Sequence, residues 1–270
     1  MNGSKTLLTQ TFLQARALGY TVLIGYLPAG FPTPAAFLDI VEVAITSGLR
    51  ILELGLPTDN PYLDGPVIQE ALSQVRTMGV DMDMALELGY RVRSKLGCPI
   101  IAMGYADAAR RYGLRALVQA LAGKGLDGIL LPDLPCDEFP QLANLARMEG
   151  LAAIGFTAAN RAQKEIHHII RHASGFLYIQ TMAEHTGAKT DLREVAQALR
   201  IIKTAAQRCS LPVAVGFGIQ SPEQVKLLHD IGADGVVIGT ALIQAAAKGQ
   251  QAVHDFVSEM ASAAGLSEEG

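Results

Sequence analysis

The feature that most constrains the fold is an alternation of eight short apolar runs with longer helical patterns. The runs are rich in β-branched and other aliphatic residues, and they fall at 21–27, 50–55, 99–105, 127–132, 151–156, 175–180, 212–218 and 234–239. Continuous apolar strands are typical of a parallel sheet covered by helices on both faces. Eight strand–helix units favour an α/β chain that closes into a (β/α)8 barrel over an open doubly wound sheet.

The segments between the runs have the periodicity of helices. Residues 34–48 and 114–125 place apolar side chains three or four positions apart, and 221–235 begins with Ser, Pro and Glu, which favour a helix start. Residues 1–20 are interrupted by Gln and Arg, so they predict an extra amphipathic helix rather than a signal peptide. Because no linker or low-complexity segment divides the chain, we predict a single TIM-barrel domain over 1–270.

Composition argues against several classes of protein. The 22 basic and 26 acidic residues are nearly balanced, with no basic block, so nucleic acid is not an expected partner. No apolar stretch reaches the roughly 18 residues that a membrane span needs. Cys98, Cys136 and Cys209 are far apart and lack metal-ligand spacing, which predicts a cytoplasmic protein with structural thiols and no metal. No cofactor is expected either.

Two acidic residues stand where a barrel would place its chemistry. Glu53 interrupts the apolar run ILELG, and Asp64 follows eleven residues later, before Gly65-Pro66. A carboxyl group in a buried strand should have a raised pKa, which suits proton transfer near neutral pH. The alternative for Glu53 is a salt-bridged or hydrogen-bonded strut, and Asp64 alone is typical of a turn. Together, two acids in different environments can divide acid and base roles.

Glycine-bearing loops follow the last three runs. They span 183–190, 216–224 and 239–244, and the loops after the seventh and eighth strands of such barrels commonly bind phosphate. Glycine lets backbone N–H groups approach an anion, and Thr240 adds a hydroxyl donor. Asp133 directly follows the fourth run, and we expect it to orient a loop or to cap the next helix rather than to act in the chemistry.

These segments together resemble one known family. The matching motifs are LELGLP, DNPYLDGPVIQEA, LLPDLP, GFLYIQ with HTGA, GFGIQSPEQV and VVIGTAL, and they cover nearly the whole chain. They resemble the tryptophan synthase alpha subunit family. The resemblance implies a (β/α)8 barrel that cleaves indole-3-glycerol phosphate to indole and glyceraldehyde 3-phosphate by a retro-aldol reaction. It also implies a pyridoxal-phosphate beta subunit as the partner that receives the indole.

The resemblance assigns roles to residues of this chain. Glu53 corresponds to the catalytic acid–base and Asp64 to the carboxylate that faces the indole nitrogen. The phosphate would lie against Gly187, Phe217, Gly218, Gly239 and Thr240. The indole pocket would be lined by Tyr26, Ile68, Leu130 and Tyr178. Tyr105 would lie near the glycerol part, and Thr186 would close over the site and position Asp64.

Departures from the family pattern leave alternatives open. The family has an aromatic residue, Ser and Asp where this chain has Thr58-Asp59-Asn60, it has Asn at the position of Asp107, and it has small residues where the 183–190 loop has Glu184-His185. The first two regions carry much of the beta-subunit contact in the family. The alternatives are therefore a free-standing lyase that releases indole for secondary metabolism, or a weakly catalytic paralogue that regulates a partner enzyme.

Overall fold

The strands that the computed structural model describes are all parallel and belong to one sheet. The structure describes residues 6–158, 161–180, 199–200, 203–204, 206, 210–216 and 218–266. The strands are β1 (Val22–Pro28), β2 (Ile51–Gly55), β3 (Ile100–Met103), β4 (Gly128–Leu130), β5 (Ala152–Ala153), β6 (Gly155–Ala158), β7 (Leu177–Gln180), β8 (Val213–Gly216) and β9 (Gly235–Ile238). Their order is β5-β4-β3-β2-β1-β9-β8-β7-β6, and every pairing is parallel.

The predicted barrel is confirmed, with one difference in its fifth strand. Each of the eight predicted runs contains a strand, but the fifth run divides at Ile154 into β5, which pairs with β4, and β6, which pairs with β7. Because β5 and β6 are separated by Ile154 alone, the same stretch of chain carries the sheet from one edge to the other. The nine strands therefore form a nearly closed barrel of eight positions.

Most helices among the described residues lie between strands, as the periodicity predicts, whereas the first helix precedes β1 and the last two helices follow β9. The helices are α1 (Leu7–Leu18), α2 (Phe37–Thr46), α3 (Pro66–Thr77), α4 (Met82–Leu96), α5 (Ala106–Tyr112), α6 (Leu114–Gly123), α7 (Phe139–Met148), α8 (Gln163–His172), α9 (Pro222–Asp230), α10 (Thr240–Lys248) and α11 (Gln250–Ala263). None of these described helices is long and apolar enough to cross a membrane.

The extra N-terminal helix closes the end of the barrel where the strands begin. In α1 the side chains of Leu8 and Phe12 are buried, and the Phe12 ring lies 5.5 Å from that of Phe176, just before β7. A Cβ added to Gly235, the first residue of β9, would lie 3.3 Å from the Phe12 ring. With this end filled by apolar side chains, polar chemistry is left to the opposite end, where the strands finish.

Two layers of apolar side chains explain which way each strand residue faces. Ile24, Ile51, Leu130 and Val237 belong to a cluster inside the barrel. Leu52 belongs to the larger cluster between the strands and the helices, together with many helical side chains. Since strand residues alternate between faces, the side chain of residue 53 must point into the barrel, toward its open end.

Two aspartates stabilise, in the same way, the end of the barrel where the strands begin, which we call the lower rim. Asp127, just before β4, accepts a hydrogen bond from the backbone N–H of Ile100 at 2.8 Å, and Asp234, just before β9, accepts one from the N–H of Val213 at 2.9 Å. Each carboxylate also meets a basic side chain. The sequences Asp127-Gly128 and Asp234-Gly235 therefore link the start of β4 to the first residue of β3 and the start of β9 to the first residue of β8.

We predict that Asp127→Ala destabilises the protein by about 2 kcal/mol, because it leaves the buried N–H of Ile100 without its acceptor. The free energy of unfolding from urea denaturation measures the effect. The control is Asp230→Ala, which removes an exposed pair with Lys226 and should change the free energy by less than about 0.5 kcal/mol. Equal effects of the two substitutions would contradict this account of the lower rim.

Candidate active site

Glu53 lies inside the barrel near the end of β2. It is the third residue of the strand, in register with Tyr26 of β1 and Ile101 of β3. Its side chain is 3% exposed, and its Oε2 atom has no hydrogen-bond partner among the described residues. The interpretation of Glu53 as a salt-bridged strut therefore finds no partner in the part of the chain that the structure describes. A buried, unpaired carboxyl group is what proton-transfer chemistry requires.

The environment of Glu53 favours the protonated acid. Burial, followed by the negative charge of Asp64, raises the pKa of Glu53 from 4.5 to about 8. The cause is physical: an ionised carboxylate loses its hydration inside the barrel and is repelled by a second one. At neutral pH this side chain is therefore mostly a neutral acid with a proton to donate.

Asp64 experiences a more polar environment. It lies in the loop between β2 and α3, and the hydroxyl of Tyr105 donates a hydrogen bond to its Oδ2 at 2.7 Å. Burial raises the pKa of Asp64 to about 6, and the hydrogen bond from Tyr105 opposes that rise. At neutral pH Asp64 is therefore mostly ionised while Glu53 is mostly neutral. The two acids have the divided states that separate acid and base roles need.

Two tyrosines face this acid pair, Tyr26 from the neighbouring strand β1 and Tyr178 from β7, which is not adjacent to β2 in the sheet. Tyr26 and Tyr178 are buried, and burial together with the negative charges of Asp64 and Glu53 raises the pKa of both phenols. Their rings therefore present apolar faces and neutral hydroxyl groups to the acids. Such a lining suits a flat aromatic ligand, which takes contact area from rings and orientation from a few polar groups.

Two glycines leave the space that these tyrosine hydroxyls fill. A Cβ added to Gly55 would lie 2.6 Å from the Tyr26 hydroxyl oxygen, and one added to Gly216 would overlap the hydroxyl of Tyr178. Both glycines end their strands, at the open end of the barrel. The glycine pattern at the strand ends thus has a steric purpose that the sequence alone did not indicate.

The loop that carries Asp64 is held by further side chains. Tyr105 accepts a hydrogen bond from the backbone N–H of Leu63 at 3.2 Å. The side-chain amide of Gln69 donates to the carbonyl oxygen of Asp64 at 2.8 Å, and the Tyr62 ring packs 5.5 Å from that of Tyr105. Neither Tyr62 nor Gln69 was predicted as a site residue, although both belong to the DNPYLDGPVIQEA motif.

Asp133 is a structural residue, as predicted, but it caps α5 rather than the next helix, α7, because β4 lies beside β3 and brings Asp133 to the start of α5. Its Oδ1 accepts a hydrogen bond from the N–H of Ala106 at 2.8 Å, at the start of α5. Its Oδ2 accepts a longer bond from the hydroxyl of Tyr62 at 3.4 Å. Asp133 therefore caps the helix after β3, on the neighbouring strand, and contacts the loop that carries Asp64.

The remaining predicted residues lie around the same end of the barrel where the structure describes them. Gly239 precedes α10 and Thr240 is its first residue, and no described side chain caps that helix start, so its first backbone N–H groups lack partners within the helix and could bind an anion. A Cβ added to Gly239 would lie 3.6 Å from Tyr26 and 3.8 Å from Ile68. Gly218 has a φ of 72°, and Leu130 shares the interior cluster with Tyr178. The other predicted residues lie outside the described ones: Thr186, Gly187 and Phe217.

Comparisons with known proteins point to one family. The tryptophan synthase alpha chain family matches residues 12–269. The tryptophan synthase alpha chain of Chloroflexus aggregans is 36% identical over 237 residues, covering 87% of this chain and 88% of its own. The chain from Carboxydothermus hydrogenoformans is 33% identical over 235 residues, covering 87% of both chains.

Solved structures show the same fold. Tryptophan synthase subunit alpha from Legionella pneumophila superposes with a TM-score of 0.88 at 29% identity, covering 97% of this chain and 99% of its own. A chain of Mycobacterium tuberculosis tryptophan synthase superposes with a TM-score of 0.89 at 28% identity, covering 98% of this chain and all of its own. At such coverage the similarity extends to the whole barrel.

We predict that Glu53→Gln changes the pH dependence of stability. The folded-state pKa of Glu53 is raised from 4.5 to about 8. The contribution of Glu53 to the stability of the wild-type protein is therefore fully present below about pH 4 and is lost as pH rises through about 8. Glutamine cannot ionise, so the variant should gain stability relative to wild type on going from pH 4.5 to 8.5. The gain should be at most on the order of 4 kcal/mol.

Thermal unfolding followed by circular dichroism at both pH values measures this difference. The control is Glu70→Gln, on the exposed face of α3, which should show a constant difference from wild type. A constant difference for Glu53→Gln as well would mean that Glu53 titrates normally.

Proposed function

The chain belongs to the tryptophan synthase alpha chain family, and on that premise we propose that it cleaves indole-3-glycerol phosphate to indole and glyceraldehyde 3-phosphate. The observation that carries the proposal is the acid pair, in which Glu53 is a buried neutral acid and Asp64 a hydrogen-bonded carboxylate. The cleavage needs a neutral acid that donates a proton and, at the same time, a carboxylate that stabilises positive charge. The proposal makes the protein a carbon–carbon lyase of tryptophan biosynthesis in the cytoplasm.

The first step is protonation of the indole ring. Glu53 donates its proton to C3 of the indole, which gives an indolenine with positive charge on the ring nitrogen. The Asp64 carboxylate accepts a hydrogen bond from that nitrogen and stabilises the charge. A fixed carboxylate in a site with little water stabilises the positive charge more strongly than a carboxylate in solution, because the local dielectric screens the interaction less.

The second step breaks the carbon–carbon bond. Glu53, now a carboxylate, accepts the proton of the hydroxyl on the glycerol carbon attached to C3. The hydroxyl carbon becomes the aldehyde of glyceraldehyde 3-phosphate, and the electron pair of the broken bond neutralises the indolenine to give indole. Glu53 regains its proton, so the cycle has no net proton change. One carboxyl group with a pKa near neutral can serve both steps.

The substrate would lie with its ring inside the barrel and its phosphate at the rim. The apolar lining for the indole comes from Tyr26, Ile68, Leu130 and Tyr178, and Tyr105 lies beside Asp64 near the glycerol part. The N-terminus of α10 offers N–H groups and positive potential to the phosphate. We assign the phosphate to Gly187, Phe217, Gly218, Gly239 and Thr240, and closure over the site to Thr186.

The proposed partner is a tryptophan synthase beta subunit. Family membership supports it, and relatives in the structural comparison come from solved tryptophan synthases. The segment Thr58-Asp59-Asn60 and Asp107 lie at the mouth of the barrel, on the loop after β2 and on α5. We place the contact with the beta subunit there, so that the indole is released toward it.

Indole release from indole-3-glycerol phosphate by the purified chain tests the proposal directly. Wild type should release indole, and an added beta subunit should raise the rate. Glu53→Gln should lower kcat/KM by roughly 10²–10⁴-fold because the proton donor is lost. The control Glu70→Gln should retain the wild-type rate. Unchanged turnover in Glu53→Gln would refute the assigned mechanism.

We further predict that Tyr105→Phe narrows the pH range of activity. The pKa values of about 6 for Asp64 and about 8 for Glu53 predict a bell-shaped kcat/KM profile that is highest between them. The Tyr105 hydrogen bond lowers the pKa of Asp64, so its removal should move the acidic limb upward by about one pH unit. The matched control is Tyr112→Phe, whose hydroxyl contacts Asp83. An acidic limb that stays in place would mean that Asp64 does not control it.

A further inference from the structure

Asp59 is the centre of a bridge between the Asp64 loop and two helices. Its Oδ1 lies 2.5 Å from a guanidinium nitrogen of Arg76 in α3, and its Oδ2 lies 2.6 Å from one of Arg111 in α5. Each carboxylate oxygen therefore has its own arginine. We call the three side chains of Asp59, Arg76 and Arg111 the Asp59 bridge.

The bridge also involves its surroundings. Arg76 donates a second hydrogen bond, to the backbone carbonyl oxygen of Thr58 at 3.2 Å. Arg111 lies 3.4 Å from the carboxylate of Asp107, one turn earlier in α5. Arg76 therefore holds the loop by backbone and side chain together. Two of the positions where the chain departs from its family, 59 and 107, meet at the same arginine.

The loop is attached to α5 at both ends of that helix. Tyr105, the residue before α5, holds Asp64 through its hydroxyl at 2.7 Å, and Arg111, in the last turn, holds Asp59. A helix of seven residues is about 10 Å long, so the two attachments are well separated. The other contacts of this loop, made by Tyr62, Leu63 and Gln69, lie around Asp64, so the attachment at Asp59 is the one that opposes a pivot about that end of the loop.

We propose that Asp59 is a positioning residue for the reaction: by holding Arg76 and Arg111 it keeps the loop oriented so that the Asp64 carboxylate faces the substrate. This inference rests on the proposed function. A displacement of about 1 Å in a catalytic group can cost 10²-fold in rate. The bridge itself is half exposed, with side-chain exposures of 42–55%, so its effect on global stability should be small and sensitive to salt.

The test compares Asp59→Asn with wild type in the full chain. The substitution keeps the size of the side chain and removes the charge. We expect kcat for indole release to fall about tenfold with KM nearly unchanged, since Asp64 acts mainly in the transition state. Wild-type kcat should fall as NaCl is raised from about 0.02 to 0.5 M, whereas the variant should respond little. Asp59→Glu, which keeps the charge, should recover part of the rate.

A second readout does not depend on activity. Hydrogen–deuterium exchange of peptides that cover residues 56–66 should be faster in Asp59→Asn than in wild type, while the melting temperature stays within about 2 °C. Arg111→Gln, which removes one of the two arginines, should change exchange and kcat in the same direction. The matched control is Glu42→Gln, which breaks an exposed 2.7 Å pair with Lys95 between α2 and α4. It should leave both readouts unchanged.

The outcomes separate this proposal from the proposed function. If wild type releases indole and Asp59→Asn keeps its kcat, Asp59 is not a positioning residue, whatever the exchange shows. If wild type releases no indole with or without a beta subunit, the proposed function fails. In that case faster exchange in Asp59→Asn would still support the inference that Asp59 holds the loop in place. Unchanged exchange would overturn that inference as well.

Discussion

The burial of one carboxyl group inside the barrel is the constraint on which the site depends. Glu53 is 3% exposed and in register between Tyr26 and Ile101, where an ionised side chain would lose its hydration without gaining a partner among the described residues. The barrel tolerates it because the group can remain protonated at neutral pH. Helix α1 contributes from the far end, where Phe12 packs against Phe176 and fills the floor with apolar atoms. The same exclusion of water that would destabilise a carboxylate holds the proton ready for transfer.

The difference between the two acids follows from where the chain places them. Glu53 belongs to a strand whose neighbours on both sides fix its backbone, whereas Asp64 belongs to a loop that is held by side chains such as Tyr105 and Gln69. The strand supplies burial, and the loop supplies hydrogen bonds. Their pKa values therefore diverge, because burial and the charge of Asp64 raise the pKa of Glu53 to about 8, whereas the Tyr105 hydrogen bond opposes the rise at Asp64. Changes in the side chains that hold the loop can therefore alter the charge on Asp64, while Glu53 keeps its position in the strand.

Much of the fold and part of the site could be predicted from the sequence. Eight apolar runs predicted the barrel because parallel strands buried on both faces leave that pattern, and a carboxylate inside one run singled out Glu53. Which face of that strand lines the interior came only from the structure. The break at Ile154 was not predictable, since a strand interruption of one residue leaves no compositional signal. Tyr62 and the Asp59 bridge were missed because their partners, Asp133 and Arg111, come from distant positions in the chain. The roles of the predicted site residues remain predictions, and Thr186, Gly187 and Phe217 also lie outside the described part.

The two hydrogen bonds that Asp127 and Asp234 accept at the lower rim affect the order in which the barrel assembles. The bonds from Ile100 to Asp127 and from Val213 to Asp234 span 27 and 21 residues, so each closes a short loop at modest entropic cost. The seam between β1 and β9 joins positions such as Thr21 and Ala233, which are 212 residues apart. Contacts of such separation form slowly, so each half of the barrel should gain structure before the seam closes. Glu53 belongs to the first half, and Gly239 with Thr240 to the second. The complete site therefore exists only after the final closure, and the appearance of activity during refolding would report that last event.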